Sequence, residues 1–532
     1  MKRWRALAVL GTAQFLMVLD TSVMNVSISR LVEDFHTDVT SIQAVITLYT
    51  LVMAAFMITG GKLGDMAGRR RAFAAGLAVY GVGSALTALA PALWVLTLGW
   101  SVIEGLGATL VLPALAALVA GAYRGRERAV AYGVIGGLAG AGIAVGPLIG
   151  GWVTTYLTWR LVFAAEVVVV AAMLACVRWI PDSPPRTRPR LDMVGVVLSA
   201  AGLALVVLGV LQSGAWGWLR PRRVPFTVLG YSPTFFVIAA GGVVLWLFRA
   251  WERRREEQER DPLVRFSLFA IPPLRAGLSM LLAQNLILLG LFFTVPLYLQ
   301  IVQGFNAFQT GLRLLPTSVT MLVSALSGPA LGRIAGPRAI VRSGLAVLLI
   351  ATLWLISAIR PDIDNLSFGS AMAVLGLGMG LLASQLGNVT QSSVGEDERG
   401  EVGGLQYTAQ NLGSSLGTAL IGSLLIGALV SVFTTRIEGD PRISDAVRRE
   451  TGVAVEAGVS FVSTTQVKNA AERSGLSPQE TDAVVDAYTS AQIESLKAAV
   501  LATSGITLVG FAFTRRLPTA RLTATAGQGA AP

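Results

Sequence analysis

The chain has 532 residues, of which 53% are hydrophobic and only 14% are charged. A water-soluble domain carries roughly 25% charged residues, so this composition excludes an ordinary soluble protein and indicates that lipid covers most of the surface. The formal net charge is +11, but excess Lys and Arg in a membrane protein marks cytoplasmic loops and does not indicate a nucleic-acid partner. The apolar runs are continuous and do not alternate, which excludes a membrane β-barrel.

Fourteen apolar segments are long enough to cross a bilayer as helices. They lie at 6–28, 42–61, 72–90, 93–121, 130–151, 161–180, 193–213, 234–250, 276–299, 314–332, 341–358, 368–390, 403–432 and 497–514. Most basic residues fall in segments that face the cytoplasm if both termini are cytoplasmic, which predicts that orientation. Ser477-Pro478-Gln479-Glu480 is a capping box that predicts a helix running into the last span. The charged run 251–261 is interpreted as a solvated linker.

The most specific motif follows span two, where residues 61–71 read GKLGDMAGRRR. Gly61 and Gly68 permit a tight turn and close backbone approach, and Asp65 is placed to pair with an arginine or a helix N-terminus. Arg69 and Arg70 hold the loop at the inner face of the membrane. A degraded copy without the aspartate occupies 328–338, and two related halves are typical of transporters. This loop resembles the signature loop of the major facilitator superfamily, and the resemblance implies that these five residues form a gating motif.

Span five carries a second motif, in which residues 142–151 read GIAVGPLIGG. Small residues at fourfold spacing let a neighbouring helix pack closely, and a proline inside a helix introduces a kink. The residues concerned are Gly142, Gly146, Pro147, Gly150 and Gly151.

Together these motifs resemble the major facilitator superfamily, and the second resembles the helix-five motif of its antiporters. Residues 19–26, LDTSVMNV, resemble the first-helix motif of the fourteen-helix drug:proton antiporter family, and Trp159-Arg160 adds to the likeness. The resemblance covers nearly the whole chain. It implies an all-α fold with a six-helix bundle at 1–180, two linker helices within 181–275, a second bundle at 276–514 with an outer loop at 437–496, and a cytoplasmic tail at 515–532.

The same resemblance implies proton-coupled export of amphiphilic, cationic drugs across the bacterial inner membrane. The expected partners are the small molecule, protons and lipid, without a cofactor, a metal, a nucleic acid or an obligate protein partner. The sequence departs from the family at Ser101 and Glu104, where an arginine and a glutamine are usual, and at Glu166, where an asparagine is usual.

Three acids lie within apolar spans: Asp20, Glu104 and Glu166. A charge there costs at least roughly 2.5–3 kcal/mol, so each is a functional candidate. Burial disfavours the ionised form of a carboxyl, and such a group can bind and release a proton as its surroundings alternate between dry and wet. We hypothesise that Asp20 and Glu104 carry the exchange. Glu166 is expected near the outer boundary, in a wet vestibule.

Uncharged candidates for the substrate cavity are less specific, because mid-span amides and aromatic residues also serve in helix packing. They are Met24, Asn25, Tyr49, Met53, Ser101, Gln284, Phe292, Gln385, Gln410 and Asn411.

Three alternatives to a drug exporter stay open at this point. An exporter of a lipid or an endogenous natural product would need fewer acids, and an importer is disfavoured by the span-five motif. A membrane enzyme is disfavoured because no nucleophile–histidine pair or metal cluster is evident, and the single histidine, His36, lies in a short polar loop. No phosphate-binding loop supports ATP as the energy source.

Overall fold

The computed structural model describes residues 2–123, 125–181, 191–219, 221, 224, 226–395, 398–444 and 461–519. Apart from one isolated β-bridge, Val228 to Tyr231, the regular elements in these ranges are helices. This confirms the predicted all-α fold.

The described residues of the N-terminal half form eight α-helices. They are α1 (Lys2–Val26), α2 (Ile28–Asp34), α3 (Val39–Ala67), α4 (Arg69–Ala88), α5 (Leu93–Leu96), α6 (Gly105–Ala122), α7 (Gly125–Tyr156) and α8 (Arg160–Cys176). A π-helical segment, Thr97–Glu104, joins α5 to α6 in one continuous rod. Two linker helices follow, α9 (Met193–Trp216) and α10 (Pro233–Glu257), and they pack against each other.

The C-terminal half begins at α11. Its helices are α11 (Pro272–Leu297), α12 (Ala307–Leu326), α13 (Gly328–Ile334), α14 (Pro337–Ala358), α15 (Asn365–Ser392), α16 (Arg399–Gly439), α17 (Thr464–Arg473) and α18 (Pro478–Phe513). A second π-helical segment, Tyr298–Val302, extends α11. The capping box at the start of α18 is confirmed, since Ser477 and Glu480 each accept a hydrogen bond from the other's backbone N–H.

Two helix pairs make the most extensive contacts between the halves: α7 packs on α12, and α3 packs on α16. Glycines make the α7–α12 contact close. A Cβ on Gly311 would lie 2.3 Å from the Pro147 carbonyl oxygen, and one on Gly151 would lie 2.4 Å from that of Ala307. The span-five motif therefore does pack a neighbouring helix closely, and the neighbour here belongs to the other half.

Eleven helices in the described ranges are long and apolar enough to cross a membrane, or twelve if the bent pair Val134–Ile143 and Val145–Tyr156 is one span. A helix lies at each of the fourteen predicted segments, but the count of fourteen spans and the side of the termini stay predictions. The predicted bounds of the tenth segment are wrong. A helix over 314–332 was expected, and the structure has α12 ending at Leu326 and α13 beginning at Gly328.

The interpretation of 251–261 as a solvated linker is also wrong. Helix α10 continues through Glu257, and the Glu252 side chain is buried. Asp192, just before α9, accepts a hydrogen bond from Trp251 Nε1 at 2.8 Å and forms an ion pair with Arg255 at 3.2 Å. Through these contacts with Asp192, the charged run holds α10 against the start of α9.

Beyond the membrane helices, α17 and the start of α18 pack together within the long loop between the last two predicted spans. Arg442 joins Asp440 and Asp486 there, and these hydrogen bonds raise the pKa of its guanidinium.

Candidate functional site

Three carboxyl groups from separate helical segments meet inside the N-terminal half. Asp20 lies on α1, Glu104 ends the π-helical segment, and Glu166 lies on α8. One oxygen from each lies within 4.8 Å of the others, and the residues are 0%, 0% and 1% exposed. We call this group the acid cluster. The expectation that Glu166 lies in a wet vestibule is wrong, because that residue is as deeply buried as the other two.

Direct backbone contact between α4 and the rod formed by the π-helical segment and α6 builds this cluster. A Cβ on Gly83 would lie 2.6 Å from the Glu104 backbone nitrogen, and one on Gly107 would lie 2.5 Å from that of Tyr80. Only glycine permits such proximity without displacement. The approach places the Ser84 and Tyr80 side chains against the acids. A π-helical turn at this point accords with the frequent occurrence of such turns at functional sites.

Neutral hydrogen-bonding groups surround the acid cluster. Trp100 Nε1 donates to both Asp20 oxygens, at 2.9 and 3.0 Å. Ser84 Oγ lies 3.0 Å from Glu104 Oε2 and 3.2 Å from Glu166 Oε2, and the Tyr80 hydroxyl lies 3.5 Å from the same Glu166 oxygen. The remaining oxygens, Glu104 Oε1 and Glu166 Oε1, are buried without a described hydrogen-bond partner.

Keeping all three carboxyl groups ionised in this buried site would cost a large free energy. The polar and charged neighbours identified for the cluster are a tryptophan, tyrosines, a serine and the acids themselves, with no basic side chain among them in the described residues. Like charges at this distance in a dry interior strongly favour neutralisation of at least one group. Three oxygens at this spacing could also surround a cation, although the indole N–H aimed at Asp20 is a donor and cannot act as a metal ligand. The chemistry that the cluster supports best is reversible proton binding.

The predicted residues Tyr49 and Ser101 adjoin the acid cluster. The Tyr49 ring stacks on Trp100 with centroids 4.4 Å apart and an interplanar angle of 4°. Ser101 donates its hydroxyl proton to the Val45 carbonyl oxygen at 2.8 Å and so fixes the π-helical segment to α3.

The other cavity candidates lie in two places. Met24, Asn25 and Met53 are buried in the N-terminal half, whereas Gln284, Phe292 and Gln385 are buried in the C-terminal half and Gln410 and Asn411 are half-buried there. Gln284 donates to the Met379 carbonyl and Gln385 to that of Gly328, so these amides bond one helix to another. Their role in a cavity stays a prediction.

Sequence reasoning missed Trp100, Tyr80 and Ser84. Trp100 could have been found, because it precedes Glu104 by four residues and therefore shares its face of an ideal helix. Tyr80 and Ser84 carried no such signal, since they lie on another helix and reach the acids only through the glycine contacts.

The gating motif lies at the junction of α3 and α4. Gly68 adopts φ +96°, a conformation that favours glycine. Asp65 forms an ion pair with Arg69 at 3.2 Å, and Arg69 also donates to the Ala117 carbonyl of α6. Arg70 donates to the Ile180 carbonyl just beyond α8. The motif thus ties together three helices of the N-terminal half, and its gating role stays a prediction.

Glycines of the span-five motif also pack on α1. A Cβ on Gly146 would lie 2.5 Å from Ser22 Cβ, one on Gly150 2.8 Å from Val23 Cγ2, and one on Gly142 3.0 Å from Val18. Helix α7 therefore lies between α1, which carries Asp20, and α12 of the other half.

A polytopic helical bundle that buries acids with only uncharged hydrogen-bond partners is typical of membrane transporters, in which such acids mark ion and proton pathways. The sequence profile described as the Major Facilitator Superfamily matches residues 10–418. The chain belongs to this family.

Its relatives include transporters of antibiotics and drugs. It is 31% identical to the "Probable actinorhodin transporter" of Streptomyces coelicolor over 82% of this chain and 75% of that protein. It is 30% identical to the "Tetracenomycin C resistance and export protein" of Streptomyces glaucescens, over 81% and 77%. The "Multidrug efflux pump LfrA" of Mycolicibacterium smegmatis is 26% identical over 97% of both chains.

Solved structures agree on the fold. A bacterial homologue of the human lysosomal transporter Spinster, in an inward-facing and unoccupied conformation, aligns with TM-score 0.62 at 14% identity, covering 97% of this chain and 98% of that one. Its family and relatives make the chain a bacterial multi-pass membrane protein that transports small molecules, and its family assigns it no enzymatic activity.

Proposed function

We propose that this transporter exports amphiphilic, cationic small molecules across the bacterial inner membrane in exchange for entering protons, and that the acid cluster binds those protons. The observation that carries the proposal is the meeting of Asp20, Glu104 and Glu166 in a buried site without a basic partner in the described residues. Relatives named for export and efflux support the direction of transport.

Alternating access of the site to the two sides of the membrane couples proton entry to export of the small molecule. While the acid cluster is dry, the neutral form of its carboxyls is favoured, and hydration from one side of the membrane lets them ionise. A cation bound on the cytoplasmic side favours ionisation and so promotes proton release inward. Protons from the outer side then bind to the acid cluster again, the cluster becomes dry, and the empty transporter returns to its starting conformation.

The test uses purified protein in liposomes with an imposed pH gradient and sodium-free buffers. Three fluorescent probes are compared: ethidium as the cation, Nile red as the neutral compound and carboxyfluorescein as the anion. We expect the gradient to drive transport of ethidium most strongly. Glu104→Gln should abolish gradient-driven transport, whereas Glu472→Gln, which alters an exposed acid on α17, should not.

Unchanged transport after the gradient is collapsed would contradict proton coupling. Equal transport by Glu104→Gln and wild type would contradict the role of the acid cluster.

A second candidate is export of one dedicated product, a lipid or a natural product. Relatives named for single compounds, actinorhodin and tetracenomycin C, favour it. Failure to transport any of the three probes, together with gradient-dependent transport of a single hydrophobic product, would support this candidate against multidrug export.

A further inference from the structure

The Ser84 hydroxyl touches more acceptor oxygens than it has hydrogens to give. Its Oγ lies 3.0 Å from Glu104 Oε2, 3.2 Å from Glu166 Oε2 and 3.2 Å from the Tyr80 carbonyl oxygen. A serine hydroxyl supplies one hydrogen and accepts two. If both glutamates were ionised, three acceptors would compete for one hydrogen. The contacts are all satisfied when each glutamate is neutral and donates to Ser84 Oγ, while Ser84 donates to the Tyr80 carbonyl.

The two unpartnered oxygens of the glutamates agree with this count. Glu104 Oε1 and Glu166 Oε1 are buried and have no described partner. Leaving the carbonyl oxygen of a neutral acid unbonded costs far less than leaving a charged oxygen unbonded in the same place.

Asp20 differs from the glutamates because Trp100, which lies within hydrogen-bond distance of both Asp20 oxygens, can only donate. The single N–H of Trp100 is shared between both Asp20 oxygens, at 2.9 and 3.0 Å. Charge-assisted bonds of this kind stabilise an ionised carboxylate. The titratable side chains that surround the acids are Tyr49 on α3 and Tyr80 on α4, and neither is basic.

From these contacts we infer, resting on the proposed function, that the resting transporter stores two protons, one on Glu104 and one on Glu166, and that Ser84 is the positioning residue that joins them. Asp20 is the ionised member, held by Trp100. When one glutamate loses its proton, Ser84 rotates to donate to the new carboxylate while it still accepts from the other glutamate, so loss of one proton changes the hydrogen bonding of both.

Infrared spectroscopy of the purified, ligand-free protein at neutral pH tests this assignment. The C=O stretch of a neutral carboxyl shifts in D2O and reports the hydrogen bond of that group. Glu104→Gln and Glu166→Gln should each remove one such band, and Asp20→Asn should remove none. Any contribution from Glu252, a buried acid of α10, is common to all these samples and cancels in the difference spectra.

Ser84 variants separate a hydrogen-bonding role from packing. Ser84→Ala and Ser84→Cys should shift both bands together, because each loses or weakens the shared oxygen acceptor, and Ser84→Thr, which keeps the hydroxyl, should restore them. Loss of a band in Asp20→Asn, or unchanged bands in Ser84→Ala, would overturn the inference. These infrared outcomes do not depend on transport. If both glutamates are neutral but a pH gradient does not drive transport, the inference is supported and the proposed function is contradicted.

Discussion

Replacing Gly83 with alanine should disable transport while leaving the fold in place. A Cβ at this position would lie 2.6 Å from the Glu104 backbone nitrogen, 2.7 Å from Glu104 Cβ and 2.7 Å from the Gly99 carbonyl oxygen. The obstructing atoms are mainly backbone, so a change of side-chain rotamer cannot relieve the contacts. The α4 helix and the π-helical segment must move apart.

The size of that movement follows from the contact distance. Ordinary van der Waals contact begins at 3.4 Å, so the shortest approach must lengthen by about 0.8 Å. The Ser84–Glu104 hydrogen bond, now 3.0 Å, would then exceed the 3.5 Å limit for such bonds. Overpacking costs about 1–3 kcal/mol, and about 1 kcal/mol of it is offset because alanine favours a helix more than glycine does.

Thermal unfolding in detergent and dye transport in liposomes check both expectations. Gly242→Ala on α10 is the matched control, because nothing lies within 4 Å of its added Cβ. We expect Gly242→Ala to match or exceed wild-type stability and to transport normally. We expect Gly83→Ala to be up to about 2 kcal/mol less stable than wild type and to lose most gradient-driven transport. Wild-type transport by Gly83→Ala would refute the reasoning that this contact builds the proton site.

Three further changes probe other parts of the molecule. Asp65→Asn should insert normally but transport slowly. Its unfolding midpoint should stay near the wild-type value, because exposed ion pairs contribute only about 0.2–1 kcal/mol. Transport at the wild-type rate would contradict the gating role of Asp65. Trp100→Phe keeps an aromatic partner for Tyr49 but loses the N–H that donates to Asp20. The free energy of unfolding should therefore fall by about 1.5–3 kcal/mol. An unchanged unfolding midpoint would contradict an ionised Asp20. Ser474→Cys in a Cys176→Ser background should react with an impermeant maleimide on intact cells, because the exposed turn after α17 is predicted to lie outside; labelling only after lysis would contradict that topology.

Hydropathy and local motifs were enough to predict the helices of this fold. Apolar runs of bilayer length mark most of them, and the capping box at Ser477 correctly predicted the start of α18. The same reasoning failed at 251–261, because the pairing of Asp192 with Arg255 joins residues that are distant in sequence. It also predicted a tenth segment, 314–332, that runs through the break at Ser327, because the helices on both sides continue the apolar pattern.

Only part of the candidate site could be predicted from the sequence. Isolated acids in apolar spans are conspicuous because their burial is costly, and all three members of the acid cluster were found that way. Their meeting could not be predicted, since it depends on how α1, α4 and α8 pack around the π-helical segment. Glu166 was placed in a wet vestibule for this reason, and Ser84 looked like any serine in a membrane helix.

The most direct test of the account is the number of protons released when the purified protein in detergent binds the probe that it transports best among ethidium, Nile red and carboxyfluorescein. The measurement follows the pH of a weakly buffered solution as that dye is added. We expect wild type to release protons and the double variant Glu104→Gln with Glu166→Gln to release none while still binding the dye. Equal proton release by the double variant and wild type would contradict the claim that these glutamates couple proton movement to export.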